Sequence, residues 1–330
     1  MKPLQLGSSN LEEFARTLLS LAEQDPDILV VTVDSRGSGK LTHFSEALPK
    51  QMIELGIAEQ NLIGVSAGLA STGKKVFAVS PASFQTARSL EQIKNDVAYS
   101  NHPVKLIGIS GGVSYGALGF THHSLHDFAA LLTFPNLDIV VPADNYETRE
   151  VIKAAAHHSS PIYIRFGKKA AYQIHKNNPT FEIGKAIEVK TGEDITYIAT
   201  GETVAEALMA SHLLEEQGIS CGVISMHTLR PFDKTSLIKA ALRSKALVTV
   251  EEHCIRGGLG SLCASILMEE GIYIPFKIIG IPDEDPVSGN QTEIFSYYGL
   301  SPENLAKTGM SLLNRTRVMV SRKEEDIHAA

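Results

Sequence analysis

Gly56-Ile57-Ala58-Glu59-Gln60-Asn61, running on through Leu62 to Ala70, is the stretch on which the reading of this chain turns. Its apolar and small residues (Ile63, Gly64, Val65, Ala67, Gly68, Leu69, Ala70) recur at roughly i, i+3 and i+4, the pattern of a buried helix. Glu59 then falls in the first helical turn or just before it. Two readings compete there. One is a helix-start acid, favoured by the positive end of the helix dipole. The other is a carboxyl group in an apolar pocket with a proton to share.

Outward from that helix, strands and helices alternate. Asn10 to Glu23 is helical in pattern, with Ser9 or Asn10 as its cap. Ile28 to Val33 is a strand of the fully buried kind, followed by a Gly/Ser loop from Ser35 to Gly39. Further strands are predicted at Val76–Val79, Val104–Ile109, Leu137–Val141 and Pro161–Arg165. Helices are predicted at Ala87–Tyr99, Leu125–Leu132 and Tyr146–His157. Such alternation means a parallel sheet with helices on both faces. Active groups in these sheets lie at the carboxyl ends of strands, and Asp34, Ser110 and Arg165 hold those positions. A polar, irregular stretch follows, and then a second α/β run. Its strands are Ile195–Ala199, Gly222–Ser225, Ala246–Val250 and Phe276–Ile279, and its helices Thr203–Gln217, Lys234–Arg243 and Leu259–Glu270. The expected layout is α/β with two parallel-sheet domains: 1–168, a linker over 169–192, and 193–330. The charged tail from Ser321 onward reads as frayed.

Composition narrows the function. The 330 residues are 43% hydrophobic and 20% charged, with a formal net charge of −7. That balance fits a globular protein and argues against a general nucleic-acid or anionic-membrane binder. Cys221, Cys254 and Cys263 have no metal-ligand spacing and an odd count, so reduced thiols in a cytoplasm are expected. The N-terminus lacks the pattern of a signal peptide, and no apolar run is long enough for a membrane span.

Several separated motifs resemble the C-terminal half of transketolases. They are Gly56-Ile-Ala-Glu-Gln-Asn61; Ala82-Ser-Phe84 through Arg88 to Glu91-Gln-Ile93; Gly119-Phe-Thr-His122; Pro142-Ala-Asp144; and Ile164-Arg165. The second domain adds Arg230-Pro-Phe-Asp233, Glu251-Glu-His253 with Gly257-Gly-Leu-Gly260, and Tyr298-Gly-Leu300. The resemblance implies a thiamine diphosphate pyrimidine-binding fold followed by a transketolase C-terminal domain. No Gly-Asp-Gly motif for the diphosphate and its metal is present. The resemblance therefore implies the second subunit of a split transketolase. An N-terminal partner would carry the diphosphate and Mg2+ or Ca2+, in an α2β2 heterotetramer. The expected activity moves a two-carbon ketol unit from an anionic ketose, phosphorylated or sulfonated, to an aldose.

The resemblance also assigns residues. Glu59 would activate the aminopyrimidine and Phe84 stack on it, although Phe84 also reads as an ordinary core ring. Asp34 would position the ring or cap its own loop, with Gln60 as a supporting contact. His122 would shuttle a sugar-hydroxyl proton; the run His122, His123 and His126 also brings a metal to mind, but no cysteine lies nearby. Arg165 would grip the distal anion of the substrate, with Ser110, Arg88 and His123 assisting; Arg88 could instead pair with Glu91. The sequence departs from the family around the sugar. Ser110 stands where relatives place a His, the position near Leu118 lacks their Asp, Phe120 replaces a Pro, and the segment near Leu11 lacks an Arg. An anion site rebuilt around Arg36, Lys40 and Ser110 is the expectation. The rival readings are a 2-oxo acid dehydrogenase β subunit, a deoxyxylulose phosphate synthase fragment and a non-catalytic scaffold.

Overall fold

The computed structural model describes residues 4–314. A short strand β1 (Leu6–Ser9) leads into helix α1 (Asn10–Ala22). Ser9 is the cap: its hydroxyl accepts from the Glu12 amide at 3.2 Å, and the Glu12 carboxylate accepts from the Ser9 amide at 3.1 Å. This reciprocal pair satisfies two donors that the helix leaves orphaned. Leu11, Phe14, Leu18 and Ala22 share the buried face of α1, and each large side chain stabilises the packing by about 1.5–3 kcal/mol.

The chain continues through β2 (Ile28–Thr32), α2 (Thr42–Ala47), β3 (Met52–Glu54), α3 (Glu59–Ser71), β4 (Lys75–Pro81) and α4 (Ala82–Arg88). A helical turn α5 (Leu90–Gln92) then opens into a π-helical segment, Ile93–Tyr99, before β5 (Lys105–Ile109), α6 (Asp127–Leu131), β6 (Asp138–Val140), α7 (Asn145–His157) and β7 (Ile162–Arg165). The helix expected over Ala87–Tyr99 is thus shifted and broken. It starts at Ala82, and Ser89, at φ −112° and ψ 26°, interrupts it. The break leaves Phe84 and Arg88 on their own short helix directly after β4.

The remaining elements are β8 (Ala170–Tyr172), β9 (Ile187–Lys190), β10 (Ile195–Ala199), α8 (Thr203–Glu215), β11 (Cys221–Ser225), β12 (Thr228–Arg230), α9 (Lys234–Arg243), β13 (Ala246–Cys254), α10 (Leu259–Glu269), β14 (Phe276–Ile281) and α11 (Gln291–Tyr297). The first sheet has the order β12-β6-β7-β5-β4-β2-β3, and the second β14-β13-β10-β11-β9. All neighbours are parallel except the edge strands β12 and β9. In the first sheet the chain runs outward from β2 to β3 and then crosses to β4 on the other side. That reversal is the topological switch at which α/β proteins bind ligands, and α3 is the helix that makes the crossing.

Two features correct the expected domain layout. The stretch 169–192 is irregular over 173–186 but carries a short strand near each end: β8 pairs antiparallel with β1, and β9 closes the edge of the second sheet. Strand β12, from the second half of the chain, completes the first sheet against β6. The two halves also share one core, in which Leu62, Val76 and Leu106 belong to the same cluster as Ile198, Met226 and Leu237. The tail from Ser321 onward lies outside the described residues.

Asp144 fastens the first domain to the segment after it. One carboxylate oxygen caps α7, accepting from the Glu147 amide at 3.0 Å, and the other accepts from the amides of Ile174 and His175 at 2.9 and 3.0 Å. Asp144→Ala leaves three amides without this acceptor and is expected to cost about 2–4 kcal/mol. Asp144→Asn, which keeps one carbonyl acceptor, should cost clearly less. Urea unfolding of the two variants checks both the size and the order.

Candidate functional site

Because the first sheet is parallel, the carboxyl ends of β2, β3, β4 and β5 open on one edge. Asp34 follows β2, Glu59 follows β3, Phe84 and Arg88 follow β4, and the loop carrying His122 follows β5. Glu59 is the first residue of α3 and only 3% exposed. Arg88 donates from Nη1 to Glu59 Oε2 at 2.6 Å. Of the two expected readings, Glu59 is both a first-turn acid and buried, and a guanidinium lies against its carboxylate where an apolar pocket was one expectation. Arg88 pairs with Glu59 rather than with Glu91.

From this ion pair a row of side chains runs across the edge. The Arg88 guanidinium sits 5.6 Å from the Phe84 ring centre. Phe84 meets His122 edge-on at 5.2 Å, and His122 meets Tyr115 edge-on at 5.5 Å. The Lys168 ammonium lies 5.0 Å from the Tyr115 ring. The His122 Nδ1 and the Thr121 hydroxyl are hydrogen-bonded at 3.0 Å, which fixes the ring and leaves Nε2 as the nitrogen to meet a ligand. Glu59, Phe84 and His122, far apart in sequence, are thus brought into one contiguous row.

Asp34 and Gln60 are exposed. Asp34 takes a left-handed conformation at φ 45°, and its amide donates to Glu54 Oε1 at 2.6 Å. The other residues expected to touch substrate are placed differently. Ser110 is 1% exposed, at a left-handed turn with φ 54° where the chain leaves β5. His123 is buried against its own loop, with Nε2 at 2.9 Å from the Gly116 carbonyl oxygen. Burial lowers its pKa. His126 turns to the Thr86 hydroxyl at 3.3 Å. The three histidines therefore diverge, and among the described residues no group of His, Cys, Asp and Glu is arranged to hold a metal.

Arg165 is the clearest correction. It stands at the end of β7 as expected, yet it is 4% exposed and its guanidinium is already engaged. It donates to Asp127 Oδ1 at 3.2 Å and to the Glu252 carbonyl oxygen at 3.0 Å, and it lies 4.0 Å from the centre of the Phe128 ring. Strand-end position is a rule about backbone; whether the side chain faces solvent depends on what covers the edge, here the second domain. Arg165 binds the domains together and does not face a substrate. Sequence reasoning passed over Tyr115 and Lys168, which line the row. The only cue available was an aromatic and a basic residue in the loops after β5 and β7.

The network around Arg165 includes carboxyl groups whose pKa values burial raises. Glu202 is pushed up to about 8, chiefly by burial and by the charge of Glu252, against the opposing pull of Arg165 and Lys169. Glu251 is raised to about 7 by burial, despite accepting from the amides of Leu259 and Gly260 at the start of α10. His253 is lowered to about 4 by burial and stays neutral.

Fold and site together define a tandem pair of α/β domains with a first-turn glutamate and a histidine loop on one sheet edge. A model of the transketolase pyrimidine-binding domain matches residues 9–173, and one of the transketolase C-terminal domain matches residues 184–305. The chain is 48% identical over 305 residues to a subunit of the apulose-4-phosphate transketolase of Phocaeicola vulgatus, covering 92% of this chain and 97% of that protein. It is 32% identical over 304 residues to the 6-deoxy-6-sulfo-D-fructose transketolase subunit SqwH of Clostridium sp. strain MSTE9, covering 92% and 94%. A solved structure described as a split gene transketolase, inactive beta4 tetramer, matches with TM-score 0.84 and 34% identity, covering 93% of this chain and 99% of that one. The chain belongs to the transketolase family. No described helix is long and apolar enough to cross a membrane.

The raised Glu202 gives a pH prediction. A carboxyl group with a raised folded-state pKa contributes stability that is fully present below its unfolded pKa and is lost as pH rises through the folded value. Its window therefore runs from about 4.5 to about 8. Glu251 acts in the same direction up to about 7, while His253 opposes them only below its ordinary value of 6.5. The melting temperature is expected to fall between about pH 6.5 and 8, and Glu202→Gln to flatten that slope. Thermal unfolding across that range tests it, and an unchanged slope in the variant contradicts the assignment.

Proposed function

We propose that this chain supplies the aminopyrimidine half of a thiamine diphosphate site. In this reading a partner chain carries the diphosphate and its Mg2+ or Ca2+, in an α2β2 assembly that transfers a two-carbon ketol unit from an anionic ketose to an aldose. The observation that carries the proposal is Glu59, a buried carboxylate in the first turn of α3, in one contiguous row with Phe84 and His122. These residues fit an aminopyrimidine: a fixed carboxylate for a ring nitrogen, beside a half-buried aromatic face. Ile57, two residues before Glu59, is 75% exposed, and Phe120, two residues before His122, is 63% exposed. Such apolar exposure beside a site supports completion by another chain.

Thiamine diphosphate, when bound, supplies the nucleophilic carbon that takes up the two-carbon unit and hands it on. Glu59 has one oxygen fixed by Arg88, so Oε1 is the atom to share a proton with the pyrimidine nitrogen. Phe84 offers its face for offset stacking, with Asp34 and Gln60 lining the approach. His122, held at Nδ1 by Thr121, gives and takes the sugar-hydroxyl proton through Nε2.

The anion of the sugar requires a cation near His122. Lys168 is exposed and lies against Tyr115, whereas Lys40 is paired with Glu12 at 3.4 Å and Arg165 is sealed between domains. The named relatives act on a phosphorylated and a sulfonated sugar, and Lys168 suits the terminal group of either. With the partner subunit and thiamine diphosphate supplied, Glu59→Gln is expected to lower ketol transfer about 10²–10⁴-fold. Lys168→Met should raise KM for anionic donors more than it lowers kcat. A coupled assay of ketose consumption measures both; undiminished turnover by Glu59→Gln overturns the proposal.

A further inference from the structure

The loop that carries His122 has two sides. Its outer side presents His122 and Tyr115 to the row described above. Its inner side lies on the second domain, and the contacts there are specific. Val113 donates its amide to Glu252 Oε1 at 2.8 Å, and Gln291 of α11 donates its Nε2 to the same oxygen at 2.8 Å. Gly112 has φ +59°, and a Cβ at that position would lie 2.3 Å from the Glu252 carboxyl carbon. Two amino acid positions along β13, the Cys254 amide donates to the Leu125 carbonyl oxygen at 3.2 Å. The bridge between Gly112 and Ser124 then ties the two ends of the loop to each other. Gly116 and Gly119, both at positive φ, pack on Gly289 and Ser288 just before α11.

We propose that Glu252 is a positioning residue for the reaction-centre loop: from the second domain, its carboxylate fixes the backbone at Val113 and so sets where His122 stands. Glu252 touches neither His122 nor the open face and acts only through that backbone. Its 5% exposure means that the Val113 amide has no water to turn to when the carboxylate is removed. Burial raises the Glu252 pKa, so a neutral isostere with a carbonyl acceptor is tolerated there. This inference rests on the proposed role of His122, but its first readout does not depend on that role.

The test compares Glu252→Ala, Glu252→Gln and Gln291→Ala in the full chain. Hydrogen exchange is measured on the chain, and kinetics with the partner subunit and thiamine diphosphate. In Glu252→Ala, amides over 112–126 are expected to exchange roughly ten-fold or more faster, with β4 and β5 unchanged. The kcat should fall by about ten-fold, with half-saturation by thiamine diphosphate within about two-fold of the parent. Glu252→Gln, which retains a carbonyl acceptor, should restore both readouts; Gln291→Ala should give a smaller local loosening. If the alanine variant does not fold, the other two decide. Unchanged exchange over 112–126 overturns the proposal, as does exchange that rises equally throughout the chain, or a Gln variant as impaired as the Ala one. A parent complex without ketol transfer would reject the catalytic reading of His122, while the exchange comparison would still decide the role of Glu252.

Discussion

A guanidinium sealed between two domains is the constraint on which the rest of this structure depends. Removing an arginine from water is costly unless its donors and its charge are met. Arg165 finds Asp127, the carbonyl oxygens of Ser124 and Glu252, and the face of Phe128. Burial alone would push Asp127 up, but the charge of Arg165 and the Tyr163 hydroxyl outweigh it and hold that carboxyl below its ordinary range. Asp127 is also where the histidine loop ends and α6 begins. One ion pair therefore fixes the end of β7, the far end of the histidine loop and the tip of β13 in a single arrangement.

That arrangement divides the molecule into a closed back and an open front. Behind the loop, Arg165, Asp127 and Glu252 are buried, and each meets a group across the domain boundary. In front, Ile57, Leu118 and Phe120 are more than half exposed. The second domain belongs to the closed back. Its Glu251-Glu252-His253 run does three different things: Glu251 caps α10, Glu252 holds Val113, and His253 stacks on Phe128 with ring centres 4.7 Å apart. Gly258 is required because a Cβ there would meet Glu251 Oε2 at 2.0 Å, which explains the glycine pair that follows this run.

Periodicity made most of the sheet legible. Ile28–Thr32 and Ile195–Ala199 are apolar on both faces, as buried parallel strands must be, and α1 and α7 show a clear one-sided pattern with recognisable caps. What escaped were elements whose pairing is non-local. β8, β9 and β12 are only three or four residues long, and each exists because a distant edge is there to receive it, which no local pattern reports. The site divides in the same way. Glu59, Phe84 and His122 were singled out from the family motifs, and the structure brings them into one row. Arg165 and His123 were misplaced because position along a strand or loop does not reveal which side a second domain will cover. Glu252 was quoted within a motif, but nothing local tells that its carboxylate reaches back to Val113 in the first domain.

The division of labour has a thermodynamic consequence for the proposed cofactor site. Glu59 is placed by α3 and Arg88, and His122 by a loop clamped from behind, so this chain spends little ordering free energy when a ligand arrives. Its open front, in contrast, offers a pyrimidine one carboxylate and one aromatic face, too few contacts for tight binding alone. Under the proposed function, affinity for the coenzyme is then a property of the complex, and by linkage the coenzyme must tighten the complex to the same extent that the partner tightens the coenzyme. A rigid half-site and a reciprocal dependence on its other half are two expressions of the same geometry. Under that proposal, the residues assigned to the chemistry are fixed from within the chain, and the surface that excludes water from them is left to another.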